Sequence, residues 1–270
     1  MTTPETGALS PDPSETPAQA GPDSDLGKTV AALTADDLEP ARRAKLLGRL
    51  VDDVRRRGLG QMFRPKAALR WMTDAVGDIA PHVPVRNLDT LRKHFDGMDG
   101  DELAERLVRN AARATAGIGA AGGGVASLQW TVTPTLLSAP VLLTAETVAV
   151  VAIELKLIGE LHEVYRQPIE GGGTQRASEL IQSWSGQRGV NPLVPGVGVA
   201  AVLGVSARRE LQTTLLKRFG RNLTTLGPLL TGAAVASYLN RRATRTLGEK
   251  VRKDLDQGQL DRSKKALPSA

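Results

Sequence analysis

Forty consecutive residues, Ala114–Ile153, carry a single charge, Glu146. That run decides most of what the chain can fold into. Inside it lie Gly117, Gly119, Gly122, Gly123 and Gly124, then Pro134 and Pro140. A stretch this apolar must be buried, in a protein core or in lipid. Glycine weakens a helix in water by about 1 kcal/mol relative to alanine. Several glycines in one helix therefore require packing that offsets the loss. Ala112, Ala116, Ala120 and Gly124 recur every four residues, with Gly119 and Gly123 beside them. This spacing makes a smooth helix face that a second backbone can approach closely. Gly196, Ala200 and Gly204 repeat the pattern, and Gly232 with Ala236 adds a third pair.

At 270 residues the chain can build one sizeable core. Aromatic residues make up 3% of it, so that core is made of Ala, Val, Leu and Gly. With no Cys and only three scattered His (His82, His94, His162), neither a thiolate nor a histidine metal site is expected. No cofactor is expected either.

Apolar residues recur at period 3.6 and no alternating β-branched run is bounded by hairpin turns. The expected fold is all-α: a helical bundle with tightly packed Ala/Gly-rich hairpins, over roughly 100–166 and 190–247. Residues 1–35 read as a disordered, acidic, Pro-rich tail. Residues 36–98 read as basic amphipathic helices, the first opening near Thr34-Ala-Asp-Asp37 and running to Arg57. Asn87 or Asp89 starts a short helix to Phe95, and Asp101 opens a long one. A helix follows Pro140 to Arg166, and a short one covers 174–187. The Ala/Gly-rich core extends over 99–259 and a frayed tail over 260–270.

Charge is unevenly spread. Residues 1–40 hold eight acids and one base, a net of −7 against a total of +6, which leaves +13 on the remainder. Residues 41–70 hold ten bases and two acids. A helix with this cationic face suits an anionic surface, with Arg42, Arg43, Arg49, Arg55, Arg56 and Arg57 as the contacts. Few aromatics for base stacking and no zinc-finger or basic-zipper pattern argue against nucleic acid. The expected partner is an anionic membrane surface or a membrane protein, with a homo-oligomer as a further option.

Three glycine motifs imitate nucleotide sites, and one of them, Gly196-x-Gly198-x-x-Ala201, follows a segment (Asn191 to Pro195) too short and Pro-rich to be a central strand. Gly21 to Gly27-Lys28-Thr29 has five residues between its glycines where a P-loop needs four. Gly117-x-Gly119-x-x-Gly122 follows a helical pattern, not the strand a dinucleotide site requires. Glu146 shares a face with Ala149, Val150 and Ile153, so its carboxylate must be paired, protonated or at an opening. It is the one candidate functional carboxylate, and pairing with an Arg is the plainer reading. Glu154, Lys156, Glu160, His162 and Glu163 read as a solvated face. No catalytic set emerges, and the chain reads as a non-enzyme.

Two uncharged runs of 19 residues, 189–207 and 222–240, are long enough to span a bilayer but only marginally apolar. Basic residues flank both sides of each and give no orientation. Residues 1–26 lack the basic and apolar regions of a cleaved signal. The expected location is the cytoplasmic side of a membrane.

The Ala/Gly helix Ala114–Gly124, the turn through Pro134 and Pro140, and the closing helix Glu154–Tyr165 resemble the EcsC-like family of bacterial proteins. That family carries an acid entering its second helix and a Tyr-Gly ending it. Glu146 and Tyr165 take those places here, with Arg166 where the glycine stands. The resemblance implies an α-helical, membrane-associated protein, in some cases linked to membrane transport systems, with no settled activity. The alternative is a soluble helical adaptor that binds a protein partner.

Overall fold

A computed structural model describes residues 22–56, 76–132, 138–171, 173–188 and 228–266. The described residues form α1 (Pro22–Leu33), α2 (Pro40–Arg56), a 3-10 turn (Ala80–His82), α3 (Leu88–His94), α4 (Gly100–Val132), α5 (Ser138–Val164), α6 (Gly173–Arg188) and α7 (Pro228–Ala266). The all-α expectation holds: among the described residues there is no strand.

Local chemistry sets several boundaries. Pro40 opens α2, where its missing N–H and fixed φ do no harm. Leu46, Leu47, Leu50, Val51 and Val54 line its buried face at helical spacing. Asn87 caps α3, its side-chain oxygen accepting from the Thr90 N–H at 2.9 Å. Asp101 and Glu102 sit in the first turn of α4, where the helix dipole favours acids. At the end of α5, Arg166 takes a left-handed φ of 55°. Its N–H donates to the Glu163 carbonyl at 3.0 Å, and the Gln167 N–H to that of His162 at 2.9 Å. This is a Schellman cap, a position that favours glycine. Arg166→Gly is expected to stabilise the chain by about 1 kcal/mol, since a side chain in the left-handed region costs that much. Urea unfolding followed by circular dichroism checks it.

The axis of the molecule is α5. From Val141 to Leu161 every residue but Leu143 and Glu146 is buried, because α1, α2, α3, α4, α6 and α7 all touch it. A helix apolar on every side needs such a sheath. The core is continuous from Leu26 to Leu255, so α1 and α2 belong to it.

Among the described elements the most extensive helix pair is α4 with α7. The glycines make that contact possible. A Cβ on Gly119 would stand 2.6 Å from the backbone of Ala236 and Ser237, and one on Gly123 would strike the Ala233 methyl. Beside them the Asn240 amide donates to the Thr115 carbonyl at 3.2 Å, linking the two helices by a hydrogen bond.

Several expectations change. Residues 22–33, placed in the disordered tail, form α1, whose Leu26, Val30 and Leu33 are buried. Thr34 does not begin a helix; its hydroxyl donates to the Ala31 carbonyl at 2.8 Å and closes α1. Residues 228–247, read as half of a second hairpin, belong to the 39-residue α7. Ala112 is buried, whereas Ala116 is only half-buried and Ala120 is exposed. A strict four-residue spacing advances about 40° per step around a helix, so the row rotates out of the seam by Ala120. Contact passes instead through Thr115, Gly119 and Gly123. Gly196, Ala200, Gly204 and Arg57 lie outside the described residues. Gly124 and Gly232 fall within α4 and α7, with their surroundings undescribed.

Candidate functional site

The polar chemistry gathers on α5. Glu154, Lys156 and Glu160, expected on a solvated face, are 1%, 6% and 2% exposed. Buried charges persist only when paired and hydrogen-bonded, and each of these is.

Glu154 sits between α5, α6 and α7. Its carboxylate accepts from the Trp184 indole N–H at 2.9 Å, the Thr244 hydroxyl at 2.7 Å and the Arg188 guanidinium. One carboxylate thus ties three helices together.

Lys156 and Glu160, one turn further on, meet two surface segments. Arg86 forms a two-pronged pair with Glu160, donating from Nε to Oε1 at 2.7 Å and from Nη2 to Oε2 at 2.9 Å. Arg86 also lies 2.7 Å from Asp36. The Lys156 ammonium donates to Asp36 Oδ1 at 3.0 Å and stands 3.5 Å from Glu160. Two cations and two anions balance. Gly159 makes the geometry possible: a Cβ there would meet Val85 at 2.7 Å. The chain at 83–87 can therefore lie on α5 and lay Arg86 across Glu160. The Arg86 guanidinium also stands 5.5 Å from the Phe95 ring centre, a cation–π contact. Burial pushes the Asp36 carboxyl up, but Lys156 and Arg86 together outweigh it and hold it below its usual range.

Over this quartet opens a cleft of about 350 Å³, between the α1–α2 turn and the segment around Pro84. Asp36, Arg86 and Lys156 reach its wall, with Asp37, Arg42 and His94 also lining it.

A second polar link joins α4, α5 and α7. The Tyr165 hydroxyl donates to Asp101 at 2.6 Å, and Arg252 stands 3.4 Å from both. Burial, then the Asp101 bond, raises the Tyr165 hydroxyl above its usual range. Burial lowers the His162 imidazole, whose Nδ1 faces the Gln167 carbonyl at 2.9 Å.

The residues marked in the sequence are dispersed over the molecule. Glu146 is half-buried at the α4–α5 interface, its carboxylate against Gly122. Arg42, Arg49, Arg55 and Arg56 are exposed on α2, the last paired with Asp53. Arg43 is a correction. It is 5% exposed, and its guanidinium donates to the Leu33 and Leu38 carbonyls at 3.4 Å. It lies on Gly117, in space a Cβ would fill. It therefore closes the end of α1 instead of meeting an outside anion, and burial lowers its pKa. Of the nucleotide-like glycine motifs, Gly27-Lys28-Thr29 lies in α1 and Gly117 to Gly122 in α4, while Gly21 and Gly196 to Ala201 lie outside the described residues. Neither helical segment offers the strand-to-helix turn that cradles phosphate.

Sequence reasoning missed the buried quartet and the Glu154 knot. Glu154 was findable: Leu157, Ile158 and Leu161 follow it at three, four and seven residues and place it on an apolar face. Asp36 and Arg86 carry no such signal, since only the fold brings them to α5.

Among the described residues no helix is long and apolar enough to cross a membrane. The uncharged run 189–207 lies outside those residues. No family model, curated protein or solved structure matches the chain. Fold and site define it as an all-α protein built on a buried, ion-paired central helix.

Proposed function

We propose that the chain is a non-enzymatic helical protein that docks on an anionic membrane surface through the outer face of α2. One observation carries this reading: Arg42, Lys45, Arg49 and Arg56 lie exposed along a single stripe of that helix, interrupted by Asp52 and by Asp53, which pairs with Arg56. The apolar face of α2 is spent on the protein's own core, so contact with lipid is electrostatic and not insertive. Such contact weakens with salt.

Replacing Lys45, Arg49 and Arg56 together by Gln is expected to weaken binding to vesicles rich in anionic lipid by roughly a hundredfold or more, at about 1 kcal/mol per cation. Co-sedimentation at low salt measures it. Equal binding of the triple variant would remove α2 from the contact. No binding of the unaltered chain would favour the soluble adaptor, with α2 as a dock for an acidic protein.

A further inference from the structure

We propose that the cleft above the buried quartet binds a small zwitterion: a ligand with an ammonium group and a phosphate or carboxylate group on a short body. At about 350 Å³ the cavity lies at the small end of ligand sites. Ala31, Ala35, Leu38 and Pro84 supply apolar walls. The charges divide into two sets. Asp36, Arg86 and Lys156 are spent on one another and on Glu160. The Arg42 and Asp37 side chains are exposed on the cleft wall and engage in no hydrogen bond or ion pair among the described residues. One cation and one carboxylate are thus left for a ligand. His94, exposed beside them, adds a ring nitrogen.

This pairing selects the chemistry. A simple anion would gain Arg42 but meet Asp37 and Asp36. A simple cation would gain Asp37 but meet Arg42 and Lys156. Only a ligand with both signs satisfies both free groups, and guanidinium matches phosphate or carboxylate oxygens in two-pronged geometry. A free phosphorylated amine and the headgroup of an ethanolamine lipid share this chemistry. Arg42 belongs both to the cleft and to the α2 stripe, so a lipid headgroup would reach the cleft from a docked surface. The cleft's geometry stands without the docking proposal.

The test is calorimetric titration of the full chain with phosphoethanolamine, with ethyl phosphate and ethylamine as single-sign controls. Saturable binding in the range of about 0.1–5 mM is expected, at least tenfold tighter than either control. Asp37→Asn is expected to erase the advantage over ethyl phosphate, and Arg42→Gln to weaken both phosphate ligands about tenfold. Both residues are exposed, so unchanged helix content and unfolding midpoint verify that the variants fold. Ethyl phosphate binding as tightly as phosphoethanolamine, no saturation by about 20 mM, or indifference to both substitutions would overturn the proposal. A second arm separates the sources and needs no docking result. If the ligand is a lipid headgroup, uncharged micelles carrying an ethanolamine lipid compete with phosphoethanolamine for the cleft. If it is a free solute, those micelles leave the titration unchanged.

Discussion

Glu160→Gln is expected to destabilise the chain by about 3–5 kcal/mol, the usual consequence of removing one member of a buried ion cluster. The loss is not that of one hydrogen bond. Arg86 and Lys156 are left facing Asp36 alone, two cations against one anion. Their side chains are 18% and 8% exposed, so water cannot restore the balance. Chemical unfolding followed by circular dichroism gives the value. Glu105→Gln is the control: Glu105 is paired with Arg109 on the open surface, and its loss should be worth well under 1 kcal/mol. The same network fixes the acid response. The Asp36 carboxyl sits below its ordinary value of 3.8 in the folded chain. Its stabilisation is therefore full above that value and is lost as pH falls through the lower, folded pKa. Equal losses for Glu160→Gln and Glu105→Gln would mean that the quartet is not buried.

Gly119→Val is expected to destabilise by about 3 kcal/mol or more, through a different cause. In an exposed helix this exchange would gain a few tenths of a kcal/mol from propensity. Here the first added carbon would already lie 2.6 Å from the backbone of α7, and backbone cannot rotate aside as a side chain can. The helices must separate, which loosens the Thr115–Asn240 link and uncovers apolar surface along the α4–α7 contact. Gly248→Ala is the milder comparison, since its added carbon would meet the tips of Val108 and Leu157 side chains. A stabilised Gly119→Val protein would mean that α4 and α7 do not pack this closely.

Much of the helical scaffold was legible in the chain. Asn87 marks the start of α3 because its side chain competes for a free N–H. The helix after Pro140 ends at the Arg166 turn, and Gly173–Arg188 differs by one residue at each end from expectation. The segment 22–33 was misread because it was grouped with the Pro-rich residues before it, although of its own residues only Pro22, Asp23 and Asp25 are of that kind. Leu26, Val30 and Leu33 recur at helical spacing within it, and packing on α2 and α5 outweighs composition. The candidate site was less legible. A Lys156–Glu160 pair one turn apart reads as a solvated helix face unless something covers it. The cover comes from Asp36, 120 positions away along the chain, and from Arg86, 74 positions from Glu160. Arg43 carried the same signal as Glu154: Leu46, Leu47 and Leu50 follow it at three, four and seven residues and place it on the apolar face of α2, while its neighbours Arg42, Lys45 and Arg49 face water.

Fractionation of cells expressing the tagged full chain, with the membrane pellet washed in high salt, then alkaline carbonate, then detergent, tests the surface-docking reading most directly. Docking through the α2 stripe predicts recovery with membranes at low salt and release in the first wash, because exposed charges are screened at high ionic strength. Retention until detergent would contradict it by requiring insertion. Recovery in the soluble fraction from the outset would contradict it as well and leave the adaptor reading in its place.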